Sequence, residues 1–214
     1  SVKSRGLGDV YKRQVINKPS SLRTFNEKLS TLNYPDLITE TIVTSNKTLM
    51  EEFINSHKKT VLKPLGLMGG DGIKIVTSEN SSTVLEQTMV NSSEMMMLQK
   101  FIDDVYSGDR RILLINGNIP KSVVLRMPPD GDFRGNLAIG GTAKTEPLNE
   151  RDIEIANSVK GDLLKKGIFI AGLDVVGGFL TEINITCPTC FRELFDQTDE
   201  NLAKAFADQL DDLI

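Results

Sequence analysis

Residues 168–186 read IFIAGLDVVGGFLTEINIT, two β-rich apolar runs around a Gly-Gly pair. β-Branched and aromatic residues suit the pleated surface of a strand, and paired glycines supply the positive φ of a tight turn. The segment therefore predicts an antiparallel hairpin and excludes an all-helical chain. In its second arm, period two sets Phe179, Thr181, Ile183 and Ile185 against Leu180, Glu182, Asn184 and Thr186. Glu182 and Asn184 then project side by side from one face. Side-chain oxygens at i and i+2 suit Mg²⁺, which takes a few hard oxygen ligands from protein and the rest from phosphate and water. Asp174 is the candidate third ligand, and register decides it. A two-residue Gly177-Gly178 turn pairs Asp174 with Thr181, facing away from Glu182. A three-residue loop or one glycine bulge pairs it with Glu182 and turns it inward. Spacing alone leaves a solvated strand face equally open.

A second constraint is TVLKPLGLMGGDGIKIVTS, residues 60–78, which reads as strand, glycine-rich loop, strand. Glycines let a backbone approach an anion closely and aim N–H groups at it, and Lys63 supplies a point charge. It is not a P-loop, which needs its lysine after the glycines and a helix next. A flap between antiparallel strands, closing over phosphates, fits the order better; a plain glycine-rich hairpin is the alternative.

Around these segments SSLRTFNEKLSTLN predicts a helix with Leu22, Phe25 and Leu29 on one face, and ITETIVT a strand. SNKTLMEEFINSHKK carries Leu49, Met50, Phe53 and Ile54 at helical spacing; STVLEQTMV reads as a helix and EMMMLQKFI as a strand entering a connection. DRRILLINGNIPKSVVLRM is a hairpin turned at Asn116-Gly117. Residues 128–148 read as one long loop, and residues 149–167 as a helix with Ile153, Ile155, Ala156, Val159, Leu163 and Leu164 inward. DENLAKAFADQLDDLI closes the chain as a helix. The class is α+β with mostly antiparallel strands. Arg111, Arg126 and Arg134 lie on or just after the hairpin, where arginines suit carboxylate or phosphate recognition.

Composition limits the function classes. A net charge of −4 gives no global basic field to recruit nucleic acid or an anionic membrane, so a bound anion needs a local cluster. No apolar run reaches the ~20 residues of a membrane span. With two cysteines three positions apart and no other secretory feature, the chain reads as cytoplasmic. His57, the single histidine, sits beside Lys58 and Lys59 and reads as a surface residue, which removes catalytic triads and His-based zinc sites. Residues 1–14, SVKSRGLGDVYKRQ, are locally basic, without apolar periodicity, and read as a non-native leader rather than a binding arm.

Lysine before a glycine flap, arginines on a hairpin and a terminal Asp…Glu-x-Asn hairpin together resemble the ATP-grasp superfamily. NKPSSLRTFNEKL, LKPLGLMGGDGI, LRMPPDGDFRGNLAIGGTA and GLDVVGGFLTEINITCPTCFRE narrow the resemblance to bacterial-type glutathione synthetases, from Val15 almost to the C-terminus. The resemblance implies an ATP-grasp fold of two lobes, with mostly antiparallel sheets flanked by helices. Residues 15–35 would form the first helix and lead-in, 36–100 the small lobe with its flap, and 101–214 the larger lobe with the metal hairpin. It also implies a ligase joining γ-glutamylcysteine and glycine through an acyl phosphate, using ATP and Mg²⁺ (two ions, with Mn²⁺ as substitute), and a homo-oligomer in full-length members. Lys28 and Lys63 would hold ATP phosphates, and Gly66, Met68, Gly69 and Gly70 would cover them. Gln99, Lys100, Phe101 and Ile102 would contact adenine. Arg111 and Arg126 would stabilise the transferring phosphoryl group, Arg134 and Asn136 would close over the site, and Asp174, Glu182 and Asn184 would hold Mg²⁺.

The sequence departs from the family pattern in three places. Gly66-Leu67 stands where the family has Asp-Gly, and Cys187 where it has Ser. The resemblance also implies a preceding domain completing the dipeptide pocket, expected to be missing before Val15. Cys187-Pro188-Thr189-Cys190 follows an antiparallel strand rather than opening a helix of a βαβ unit, which argues against thioredoxin-like chemistry. Alternatives carried from the sequence are another ATP-grasp carboxylate–amine ligase, a non-catalytic nucleotide-binding fragment, and a C-x-x-C redox protein.

Overall fold

The computed structural model describes residues 15–89, 94–137 and 140–211; the basic leader 1–14 lies outside them. Two sheets form the frame. The first contains β1 (Thr41–Thr44), β2 (Thr60–Pro64), β3 (Lys74–Val76) and β4 (Met96–Lys100), in the order β1-β4-β2-β3. The second contains β5 (Asp109–Ile115), β6 (Ser122–Met127), β7 (Thr142–Pro147), β8 (Ile170–Val176) and β9 (Phe179–Asn184), in the order β7-β6-β5-β8-β9. Every described strand pair is antiparallel. Helices α1 (Pro19–Thr24), α2 (Lys47–Ser56), α3 (Ser81–Thr88), α4 (Glu150–Lys165), α5 (Phe191–Thr198) and α6 (Leu202–Asp211) flank the sheets, an α+β arrangement.

The first sheet is covered on one face. Met50 and Ile54 of α2 and Leu85 of α3 pack with Leu62, Val76, Met96 and Leu98. The second sheet is covered on both. Ile155, Ala156, Val159 and Leu163 of α4 pack against Ile112, Leu114, Leu173 and Val175. On the opposite face Leu194 of α5 and Leu202 of α6 meet Leu113, Ile115 and Val124. Period two then puts Asp109 and Arg111 on the α5 side of β5, in line with Leu113 and Ile115. That face is therefore apolar beneath the helices and charged beyond them, and the charged part becomes the site.

Several expectations need correction. The first helix ends at Thr24, and a 3₁₀ segment follows at Leu29–Asn33. Asn26 Oδ1 accepts from the backbone N–H of Lys28 and of Leu29, a local bond that replaces the helical ladder. Residues 142–147 form β7 against β6 instead of continuing the loop; the strand lies at the sheet edge, with no residue buried and no apolar stripe to reveal it. Ile153 and Leu164 are 43% exposed, on the flanks of the stripe that α4 buries. On α2, Met50 and Ile54 are buried, whereas Leu49 is exposed.

The Asn116-Gly117 hairpin forms as expected, with φ of +48° and +72° at its two central residues. The second hairpin adopts the register that pairs Asp174 with Glu182. Val176 pairs with Phe179 across the glycine turn and Val175 with Leu180, so the extra residue is Thr181 rather than a glycine. This bulge keeps Leu180 in the core with Ile183 and Ile185. It corrects the simple alternation, which had grouped Phe179 with the apolar face; Phe179 is 36% exposed.

Candidate functional site

A cleft of about 830 Å³, including its part open to solvent, lies between the two sheets. Its walls carry Lys28, Lys63, Arg134, Asp109, Asp174 and Glu182 as charged groups and Val61, Ile73, Phe101, Ile102, Val105 and Val176 as apolar ones. The apolar lining gathers at the connection after β4, because Gly177, next to Val176, abuts Ile102. Gln99, Lys100, Gly70 and Asn136 also line the cleft. Arg111, Arg126, Asn184, Gly66, Met68 and Gly69 do not; the two arginines lie behind its wall, 4% and 3% exposed.

Those arginines form a buried network with two aspartates. Arg111 grips Asp174 with two bonds, Nε to Oδ1 at 2.5 Å and an Nη to Oδ2 at 3.0 Å. Arg126 bridges Asp174 Oδ2 at 2.9 Å and Asp109. Burial works against the Asp174 charge, but Arg111 and Arg126 outweigh it and bring its pKa down to about 2. For Asp109 burial prevails, reinforced by Asp174, and its pKa is pushed up to about 6. Burial likewise opposes the Arg126 charge, and Asp109 and Asp174 override it. Asp109 Oδ1 and Arg126 Nε are buried with no hydrogen-bond partner among the described residues. An unmatched acceptor on a cleft wall is where a ligand hydroxyl would bind.

Lys28 is set by its neighbour. Glu27 Oε1 accepts from the N–H groups of Ile185 and Thr186, pinning this segment to the end of β9. Lys28 then pairs with Glu182 at 3.0 Å and donates to the Leu67 carbonyl of the flap at 2.6 Å. Lys63 on β2 donates to Gln99 Oε1 at 2.5 Å on neighbouring β4, and burial pushes its pKa below the usual lysine value. Beyond it Gly69, Gly70 and Gly72 have φ of +68°, +81° and +67°. Consecutive N–H groups in such turns make anion-binding concavities.

The flap meets the long loop across the cleft mouth. Arg134 donates to the Gly70 carbonyl at 3.2 Å and is held by Asp132 at 2.7 Å. A Cβ on Gly70 would lie 2.7 Å from Asn136 Oδ1. Gly70→Ala should therefore part the loop from the flap. A left-handed alanine costs about 1–2 kcal/mol, read as a lower urea midpoint, and proteolysis of residues 128–137 should quicken. Unchanged cleavage would show that the two segments do not support each other.

Among the described residues no three His, Cys, Asp or Glu side chains are grouped to hold a metal. Asn184 turns its NH₂ toward Asp174 Oδ2 at 3.1 Å, which leaves its carbonyl oxygen available. Glu182 uses one oxygen on Lys28. Two unused hard oxygens on adjacent same-face positions fit Mg²⁺; Asp174, held by two arginines, has less to offer.

The cysteines are free, Cys187 exposed and Cys190 buried. Contrary to expectation a helix does follow them, since α5 starts at Phe191. Burial nonetheless pushes the Cys190 thiol up, opposite to an activated thiolate. Sequence reasoning also missed Asp109, whose signal was its place two residues before Arg111, and Phe133, the lone aromatic between Met127 and Leu137.

None of the described helices is long and apolar enough to cross a membrane. Comparison with solved structures shows the fold. A Chryseobacterium gregarium RiPP-associated ATP-grasp ligase in complex with ADP and a leader and core peptide superposes with a TM-score of 0.72 at 21% identity, covering 99% of this chain and 67% of that one. The D-cycloserine synthetase DcsG gives 0.71 at 14% identity, covering 98% and 79%. Among sequence relatives, a glutathione synthetase of Coxiella burnetii is 45% identical over 90% of this chain and 60% of its own length. One of Neisseria meningitidis serogroup A is 40% identical over 94% and 64%. The chain thus spans about 60–64% of the length of these curated relatives. The model of the prokaryotic glutathione synthetase ATP-grasp domain matches residues 27–199. This chain belongs to that ATP-grasp domain family.

Proposed function

We propose that the chain is the nucleotide-binding part of a ligase that forms glutathione from γ-glutamylcysteine and glycine, with ATP converted to ADP and phosphate. The observation that carries this reading is a cleft whose walls pair cationic groups with an apolar connection, the two chemistries of a nucleoside triphosphate. In this reading residues 15–35 lead in, 36–100 form the small lobe and 101–214 the larger one.

Phosphates lie against Lys28, Lys63 and the turn at Gly70, and the base lies along Gln99, Lys100, Phe101 and Ile102. Asp109 Oδ1 accepts from a ribose hydroxyl, which supplies the donor it otherwise lacks. Arg134 and Asn136 hold the loop on the flap and keep water from the reacting carboxyl group. Arg111 and Arg126 sit behind the wall, where they hold Asp174 in place and offset its negative charge, which would otherwise repel the transferring phosphoryl group. Mg²⁺, when bound by Glu182, Asn184 and Asp174, would neutralise phosphate charge. Positioned charges of this kind carry most of phosphoryl transfer. The γ-glutamylcysteine carboxylate takes the phosphoryl group, and the glycine amine displaces phosphate from the acyl phosphate.

Calorimetric titration with ADP and Mg²⁺ tests the nucleotide site. The chain should bind, and Lys63→Ala should weaken binding roughly tenfold, about the worth of one charge-assisted contact. No binding by a folded sample would refute the reading. Product analysis with glycine against other amino acids then separates glutathione formation from other carboxylate–amine ligations.

A further inference from the structure

Phe133 lies on the loop between β6 and β7, lines the cleft, and meets Phe101 of the connection edge-on, with ring centroids 6.1 Å apart and planes at 60°. Phe101 is itself held. Lys59 Nζ sits 3.6 Å from its ring centroid, and Tyr106 is 6.1 Å away. The loop backbone at Phe133 is equally fixed. Asp132 Oδ1 accepts from the N–H of Phe133 at 2.7 Å and of Arg134 at 2.9 Å, and Arg134 reaches across to Gly70. One short stretch, Asp132–Arg134, thus ties the phosphate-side flap to the apolar connection. An aromatic ring in a glycine- and proline-rich loop has little core to join, yet this one is half-buried at the apolar part of the cleft.

We infer that Phe133 is a base-contacting residue that makes nucleotide affinity depend on the base and not on the phosphates alone. The inference rests on the nucleotide reading above and goes beyond it. Arg134 and Phe133 are neighbours with separate duties: the guanidinium secures the flap, and the ring forms with Phe101 an aromatic corner against which a flat heterocycle packs. Aromatic pairs prefer offset or edge-on contacts of the kind already present between these two rings. A bound base would therefore extend an existing contact, with little rearrangement of the loop.

The experiment titrates the chain, with Mg²⁺ present, with ADP and separately with inorganic tripolyphosphate, for the unmodified protein, Phe133→Ala and Phe133→Tyr. Phe133→Ala should bind ADP about three- to tenfold more weakly, the range expected for one aromatic contact, and tripolyphosphate as before. Phe133→Tyr should restore ADP affinity, which a loss of loop structure alone would not predict. Equal ADP affinity in Phe133→Ala overturns the inference. So does parallel weakening toward both ligands, which would make Phe133 a general lid residue. Failure of the unmodified chain to bind ADP at all would instead overturn the nucleotide reading, and this inference with it.

Discussion

Asp174→Ala should lower folding stability by about 3–5 kcal/mol, because it leaves two buried guanidinium groups without their shared counter-ion. Arg111 and Arg126 are 4% and 3% exposed, so water cannot replace the carboxylate, and Asp109 alone remains to balance them. A domain of this size has about 5–15 kcal/mol in total, so the loss should be plain in urea denaturation. Asp174→Asn should cost less, since the amide keeps the shape and one acceptor. Removing Arg111 as well, by Arg111→Met, should recover part of the loss. The sign with pH follows from the depressed pKa. The Asp174 carboxylate contributes fully above its unfolded value near 3.8, and the contribution disappears as pH falls through about 2. The gap between wild type and Asp174→Ala should narrow over that window. A cost under about 1 kcal/mol at neutral pH, the level of an exposed pair, would show that the network is solvated.

On the nucleotide reading proposed above, Glu182→Gln should abolish the Mg²⁺ dependence of ADP binding, because it removes the one anionic oxygen offered to the cation beside Asn184. Glutamine keeps the shape of the side chain but removes the charge that pairs with Lys28 at 3.0 Å and the anionic oxygen offered to a cation. Two effects are mixed in that variant, and Lys28→Met separates them. It removes the ion pair while leaving the Glu182 carboxylate, so Mg²⁺ should still strengthen ADP binding. Asn184→Asp should be milder than Glu182→Gln, since an oxygen ligand remains. If Mg²⁺ strengthens ADP binding equally in wild type and Glu182→Gln, the cation is held elsewhere.

Features encoded in local chemistry were legible in the sequence. Asn116-Gly117 announced its hairpin because few residues tolerate two successive positive φ values. Glu182-x-Asn184 announced a shared polar face because a strand has period two. What depends on partners far along the chain was not legible. Strand β7 has no buried residue, and its identity lies in its pairing with β6. Helix α5 has only eight residues, too few for a clear apolar period. Asp109 sits at the head of a strand like any surface acid, and only the fold shows that Arg126, seventeen positions later, comes opposite it. The break after Thr24 was hidden in a single residue, Asn26, whose side chain captures two backbone donors.

The bulge at Thr181 leaves the second hairpin with one residue in reserve. Upstream of it Leu180 points into the core, and downstream Ile183 and Ile185 do so three and five positions later. The partner strand pairs Val175 with Leu180 and Asp174 with Glu182, and so passes Thr181 over. Deleting that one residue would restore strict alternation, with Leu180, Ile183 and Ile185 still in the core and Glu182 and Asn184 still on the face of Asp174. The loss would be local: the extra twist of the bulge, and the bond that the Thr181 hydroxyl donates to the Asp174 carbonyl. Position 181 should therefore accept both exchange and deletion, the mark of a residue the strand can spare.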